Sequence, residues 1–281
     1  MFRLLPYGLA FIIVSYVLLG RVGGLLAARR VRRWVVSATK AVLDPYRLGQ
    51  YESALQACEG LRLGGEVTSP YCFFRGANLA HLGRLGEAEV WLRRNIAMRE
   101  KEKGHRHLAI GLTTLGHTML QAGRYDEAQE NFQASLRHFP QRGSGYRSMA
   151  ELCLLRRDNP AEALRWATLA IEHEQADRGL TLELRRTNLG EDLATLAWAT
   201  AAGTRNRAEV ARLVSEAVDS VGSGSVAARA QVHYQSGRAY AELGDIQASA
   251  QYYGVAAKLD AQGNWGRAAS TALTDCRAPD S

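Results

Sequence analysis

A pattern of small and apolar residues returns along this 281-residue chain at intervals close to 34, and that recurrence restricts the fold more than any other property. Gly49 and Gly83 stand 34 positions apart, as do Gly123 and Arg157. The clearest copy is Ala109–Arg142, with Leu112, Leu115, Gly116 and Met119 before a turn at Gly123, and Tyr125, Ala128, Phe132, Ser135 and Pro140 after it. Apolar residues three and four apart describe two amphipathic helices. Gly116 and Ala128 are small where the two helices of one hairpin must approach closely, and Gly123 supplies the freedom at positive φ that the turn needs. One such hairpin cannot bury its apolar face alone. Copies must stack, so a continuous core running along a one-dimensional array is expected.

Upstream, Cys72, Gly76, Leu79, Gly83, Leu85, Ala88 and Leu92 repeat the spacing. Downstream come Tyr146, Met149, Ala150, Cys153, Ala163, Ala167 and Ala170, and near the C-terminus Gly237, Tyr240, Gly244, Ile246, Ser249, Tyr253 and Ala256. These residues and spacings resemble the tetratricopeptide repeat (TPR) family, which implies an all-α solenoid of helix–turn–helix units wound as a right-handed superhelix. The resemblance covers about residues 46–263. An array over 44–263 is expected to hold about five to six units, clearest at 69–102, 109–142, 143–176 and 230–263. Two units are weaker. One keeps Leu193, Leu196, Ala197, Thr200 and a helix from Asn206 to Val221; the other, Leu48 to Cys58, supplies a turn and a second helix only. Lengthened joins fall around REKEKGHRH and ADRGLTLELRRT. Asp44-Pro45, Ser69-Pro70 and Asn159-Pro160 each read as a capping residue followed by proline at the first helical position, which leaves no proline inside a helix. Trp265, Ala268, Ala269, Ala272 and Leu273 suit a capping helix in the segment 264–281, ending in a loose tail.

The formal net charge of +7 is carried by one end of the chain. Residues 1–43 hold seven basic side chains and no acidic one, while the other 238 residues hold 28 of each sign. Nucleic acid is therefore not expected as a partner. Leu4 to Gly20 is an uncharged apolar run bracketed by Arg3 and Arg21. Seventeen helical residues span ~25 Å, and continuation to Ala28 reaches the ~30 Å of a bilayer core. The reading is a transmembrane anchor at 1–28, with a cleaved signal peptide and a buried core helix as alternatives. Arg29, Arg30, Arg32 and Arg33 follow the run closely, so the positive-inside rule places the C-terminal side in the cytoplasm of a single-pass cell-membrane protein. Residues 29–43 project as a basic amphipathic helix whose apolar face carries Val31, Trp34, Val35, Ala38 and Val42. That face suits an anionic lipid surface or the next helix of the fold.

Catalytic signatures are missing: the sequence has no Walker loop, GxSxG elbow, HExxH, EF-hand loop or paired CxxC. No cofactor, metal or small-molecule substrate is expected. Cys58, Cys72 and Cys153 occupy slots that hold Phe132, Leu112 and Met119 in the clearest copy, so they read as packed thiols. His105 and His107 form a short pair in the inserted join, too few ligands for a structural metal site. His233 takes a core slot and is read as packed and hydrogen-bonded. Trp91, Trp166, Trp198 and Trp265 fall at helical spacing and read as packing.

In the TPR family the first helix of each hairpin lines a concave groove that holds a peptide or partner helix. The resemblance places Phe73, Phe74, Thr113, Thr114, His117, Gln121, Arg147, Glu151, Tyr234 and Arg238 there. The Lys/Asn/Arg clamp of the chaperone-tail subclass is not matched. The sequence thus describes a membrane-tethered adaptor or scaffold for a protein or peptide partner, with the lipid bilayer as second partner. An exported version of the same module is the alternative; a metal-dependent enzyme using His105 and His107, or a soluble regulator, are lesser ones.

Overall fold

A computed structural model describes residues 24–102, 104–177 and 179–277. Among them the chain is helical throughout: α1 (Gly24–Arg47), α2 (Tyr51–Ala57) with a 3-10 turn (Cys58–Leu61), α3 (Ser69–His81), α4 (Leu85–Glu102), α5 (His105–Gln121), α6 (Tyr125–His138), α7 (Gly143–Arg156), α8 (Pro160–Ala176), α9 (Leu182–Thr204), α10 (Arg207–Val221), α11 (Val226–Glu242), α12 (Ile246–Leu259) and α13 (Asn264–Arg277). Consecutive helices pack pairwise, and each pair packs on the next, giving a solenoid of hairpins closed by the single helix α13.

The spacing rule has a direct steric basis. A Cβ on Gly116 would lie 2.4 Å from the Phe132 ring, one on Gly76 2.7 Å from Leu92 Cγ, and one on Gly237 2.6 Å from the Tyr253 ring. The same slot is therefore glycine in three hairpins because the large residue of the second helix occupies the space of a side chain. Gly49, Gly83, Gly123 and Gly244 close their turns at φ between 73° and 78°. Arg157 occupies the corresponding turn at φ 55°, a position where a Cβ is strained.

Four local expectations change. Pro45 lies inside α1, two residues before its end. A proline there removes one hydrogen bond to the preceding turn, and the carbonyls of Pro45 and Tyr46 close the helix by accepting from Leu48, Gly49 and Gln50. The cap of α3 is Thr68, whose hydroxyl accepts from Tyr71 N, while Ser69 accepts from Asn95 Nδ2 at 3.0 Å on α4. Asn159 does cap α8, accepting from Glu162 N at 3.0 Å. The extra residues around REKEKGHRH lengthen helices: α4 runs to Glu102, and His105 and His107 open α5. Finally, the weakly matching unit α9–α10 is the hub of the largest apolar core, in which Ala163, Ala167, Ala194, Trp198, Leu213 and Val214 are buried. At 23 residues α9 is long enough to pack on α7, α8, α10 and α11 together.

Helix α1 provides the first helix of the front hairpin. Thr39 and Val42 are buried in it, and Ala38, Leu43 and Tyr46 pack beside them. Among the described residues no helix is long and apolar enough to cross a membrane. The run Leu4–Gly20 lies outside the described residues, and so do the side chains of Arg29, Arg30, Arg32, Arg33, Val31 and Val35. At the far end, Ala269 of α13 is buried against Tyr253 and Ala256, with Ala272 and Leu273 alongside, as a capping helix requires.

The array does not remain open. Tyr51 Oη on α2 donates to Asp260 Oδ1, just after α12, at 2.6 Å. His81 at the end of α3 meets Asn264 Oδ1 on α13 through Nδ1 at 2.7 Å, and Arg267 donates to the His81 carbonyl at 2.9 Å. Tyr46 donates to His81 Nε2 at 3.0 Å, so the ring carries its proton on Nδ1; Tyr51 stacks on that ring at 4.6 Å. First and last hairpins thus form a seam, and the solenoid is a ring.

Candidate functional site

Closure converts the expected groove into a chamber of about 720 Å³, lined by α1 and by the first helix of every following hairpin, with α13 completing the wall. Phe73, Phe74, Thr113, Thr114, His117, Gln121, Arg147, Glu151 and Tyr234 all line it, so one helix per hairpin faces inward as the repeat pattern requires. Arg238 stands behind the wall. Its guanidinium lies 4.4 Å from the Trp198 ring and reaches Tyr234 Oη at 3.4 Å.

Most polar groups here are engaged with one another. Arg147 is buried on α7 and donates to Glu191 Oε2 at 2.5 Å and to Asp192 Oδ1, both on α9. Burial pulls its pKa down, but Glu191 and Asp192 together hold it above the ordinary arginine value. The same burial raises both carboxyls against the pull of Arg147. Glu151, one turn along α7, accepts from Gln235 Nε2 at 2.6 Å and Gln231 Nε2 at 3.1 Å on α11. Desolvation pushes Glu151 up to about 7. His117 Nε2 meets Ser148 Oγ at 2.9 Å, and burial, with Arg147 and Arg142 nearby, takes the imidazole down to about 3. Its 3.8 Å approach to Glu151 is therefore no ion pair at neutral pH. Behind this layer Glu174 on α8 is buried, accepts from Asn188 Nδ2 at 2.8 Å, and is raised to about 7 by desolvation.

Sequence reasoning overlooked several participants. Glu191 and Asp192 are the carboxylates that hold Arg147, yet they sit in the repeat that kept only its skeleton. Trp265, read as packing, lines the chamber, while Trp198 is buried in the core as read and only borders it. Arg142 lines it from the turn before α7, where the pattern marks a loop. No spacing rule singles these residues out. The histidine pair also changes: His107 is buried, His105 stacks on His138 at 5.8 Å, and no metal-type cluster of three or more ligands occurs among the described residues. His233 packs against Tyr252, but its Nδ1 has no hydrogen-bond partner.

With this geometry in view, residues 70–141 match a family model described as Tetratricopeptide repeat, and residues 230–262 match a second of the same description. These two segments are similar to tetratricopeptide repeats. They correspond to hairpins α3–α4 and α5–α6, and to α11–α12. Among solved structures, YrrB, described as a TPR protein with an unusual peptide-binding site, is similar at 14% identity over 74% of this chain and 92% of its own, with a TM-score of 0.38. The TPR2AB domain of yeast Sti1, in complex with pHSP90, is 12% identical over 86% of this chain and 98% of its own, at 0.34. Yeast Tom70 is 14% identical over 91% of this chain, at 0.49, and the match spans 50% of Tom70. A search of curated proteins returns no match.

Proposed function

We propose that the chain is a membrane-tethered protein-interaction module, in which the tetratricopeptide-repeat ring receives a short extended segment of a protein partner. The observation that carries this reading is the inward convergence of one helix from every hairpin on a single chamber of mixed aromatic and polar lining. Such a surface offers apolar pockets together with hydrogen-bonding groups for a main chain.

The tether is the apolar run Leu4–Gly20, and the arginines that follow it orient the ring toward the cytoplasm. Holding a weak receptor at a membrane raises its effective concentration for partners at the same surface. The test is in-membrane crosslinking from Gln121 and Tyr234 together with a C-terminal topology reporter. A crosslinked partner lost in the Tyr234→Ala variant, and a cytoplasmic reporter signal, support the reading. An exported reporter signal overturns the orientation, and crosslinks indifferent to chamber substitutions overturn the site.

A further inference from the structure

Three observations inside the ring point beyond a protein partner. The first is size. A volume of about 720 Å³ falls within the ~300–1,000 Å³ characteristic of small-ligand sites, and the seam closes the side through which a long chain would lie across an open groove.

The second is a single unsatisfied charge. Five charged side chains face the chamber: Arg142, Arg147, Arg267, Glu151 and Glu191. Arg147 is matched by Glu191 and Asp192, and Glu151 is held by two glutamine amides. Arg267 donates to the carbonyls of His81 and Gln262. Neither Arg142 nor Arg267 has a carboxylate within 4.0 Å among the described residues, but Arg267 spends its terminal nitrogens on the two carbonyls, whereas Arg142 Nε donates to Ser144 Oγ at 2.5 Å and its terminal nitrogens bond to no described residue. Burial, with Arg147 and Arg106 nearby, lowers its pKa to about 10 against the opposing pull of Glu174 and Glu191. A planar guanidinium with two parallel donors is the geometry that a carboxylate matches bidentately.

The third is the wall. Phe73 and Phe74 on α3, Tyr234 on α11 and Trp265 on α13 line the same space, with the buried Trp198 of α9 at its border. Tyr234 and Trp265 rings lie 5.6 Å apart. Gln121 adds an amide from α5.

We propose that the chamber is a binding site for a small organic acid, one carboxylate on an aromatic body, with the carboxylate on Arg142 and the body against the aromatic wall. The acid supplies the counter-charge that Arg142 lacks and covers apolar surface that the ring turns inward. It occupies the space a partner segment would enter, so acid and segment exclude one another. This site stands whether or not a protein partner or the membrane tether exists, because it rests on the chamber alone.

The test uses the full-length purified chain with benzoate, phenylacetate and 3-phenylpropionate as probes, and their primary amides as neutral counterparts. Calorimetry gives affinity, and the tryptophan fluorescence change that is lost in Trp265→Ala reports on Trp265. Expected is saturable binding of at least one acid, with the matching amide about tenfold or more weaker. Arg142→Gln weakens the acid by a similar factor and leaves the amide unchanged, Arg142→Lys restores part of the loss, and Trp265→Ala weakens both ligands together. Absence of binding by all three acids, equal affinity for acid and amide, or acid binding indifferent to Arg142→Gln overturns the proposal. The acid–amide comparison needs no substitution, so it decides the matter even if a variant fails to fold.

Discussion

The interior of hairpin α5–α6 and the seam between α2–α3 and α12–α13 are both buried contacts, but they are built in opposite ways. Within the hairpin, Gly116 accepts the Phe132 ring while Leu115, Met119 and Ala128 fill the space around it. All of these are neighbours within one turn of chain and recur in sister hairpins. At the seam, Tyr51 and Asp260 are separated by 209 positions, His81 and Asn264 by 183, and no other hairpin repeats them. One contact is apolar, local and periodic; the other is polar, remote and unique. Local periodic packing builds the layers, and a few polar matches between distant layers decide whether the array stays open.

That contrast can be broken from either side. The largest effect is expected from Phe132→Ala, which empties the space next to Gly116 and should cost about 3–5 kcal/mol in urea unfolding. A loss below 1 kcal/mol would mean that the hairpin interior is not the stabilising unit. Arg147→Met leaves Glu191 and Asp192 buried beside an apolar side chain. It should cost a comparable 3–5 kcal/mol, and the triple variant Arg147→Met, Glu191→Gln, Asp192→Asn should regain most of it. If the triple variant is no better than the single one, the cluster is not an electrostatic unit.

Titration gives an intermediate effect. The folded-state pKa of Glu174 lies near 7, above the 4.5 of an ordinary carboxyl. The native state therefore binds more protons than the unfolded state between those values. The stability that Glu174 contributes is complete below about 4.5 and is lost as pH rises through 7. His81, held near 4, and His117, held near 3, act in the opposite sense, adding stability as pH rises toward 6.5, so the parent profile is expected to be flattened between 4.5 and 6.5. Glu174→Gln removes its share of the falling component, and Glu151, also raised to about 7, keeps the rest. Relative to the parent the variant should gain stability steadily from pH 4.5 to 7, on the order of 1–3 kcal/mol in total. A difference independent of pH would show that Glu174 does not titrate in this range.

Comparable in size to the titration effect is Tyr51→Phe at the seam. Losing a hydrogen bond to a carboxylate should cost about 1.5–3 kcal/mol, and the loss should appear first as faster amide exchange in α2, α3 and α13 and as a larger radius in X-ray scattering. Unchanged scattering with the full energetic loss would make Tyr51 a packing residue and leave ring closure to His81, Asn264 and Arg267.

Legibility in the sequence followed the same division. The glycine at Gly76, Gly116 and Gly237, the turn glycines and the inward-facing positions Thr113, His117, Arg147 and Tyr234 were all readable, because each follows from spacing along one or two helices. Arg238 was placed in the groove but does not line the chamber: one turn beyond Tyr234 on α11, it sits over the Trp198 ring and reaches Tyr234 Oη. Arg142 was passed over because a turn position carries no periodic constraint. The role of α9 was underestimated for a related reason: it packs against α7, α8, α10 and α11 at once, and no single repeat template describes that.

From its sequence alone this chain determines that it is an all-helical array of tetratricopeptide-like hairpins, that one face of each first helix turns inward, and that its excess positive charge lies beside an apolar run. Those properties depend on neighbours within about 34 residues, a range over which helix geometry makes position predictable from spacing. Only the tertiary structure decides that α13 meets α3, that the groove becomes a chamber, and that the terminal nitrogens of Arg142 face it without a protein partner. Each of these depends on curvature summed over all the layers and on side chains that share no repeat, so no local pattern carries them.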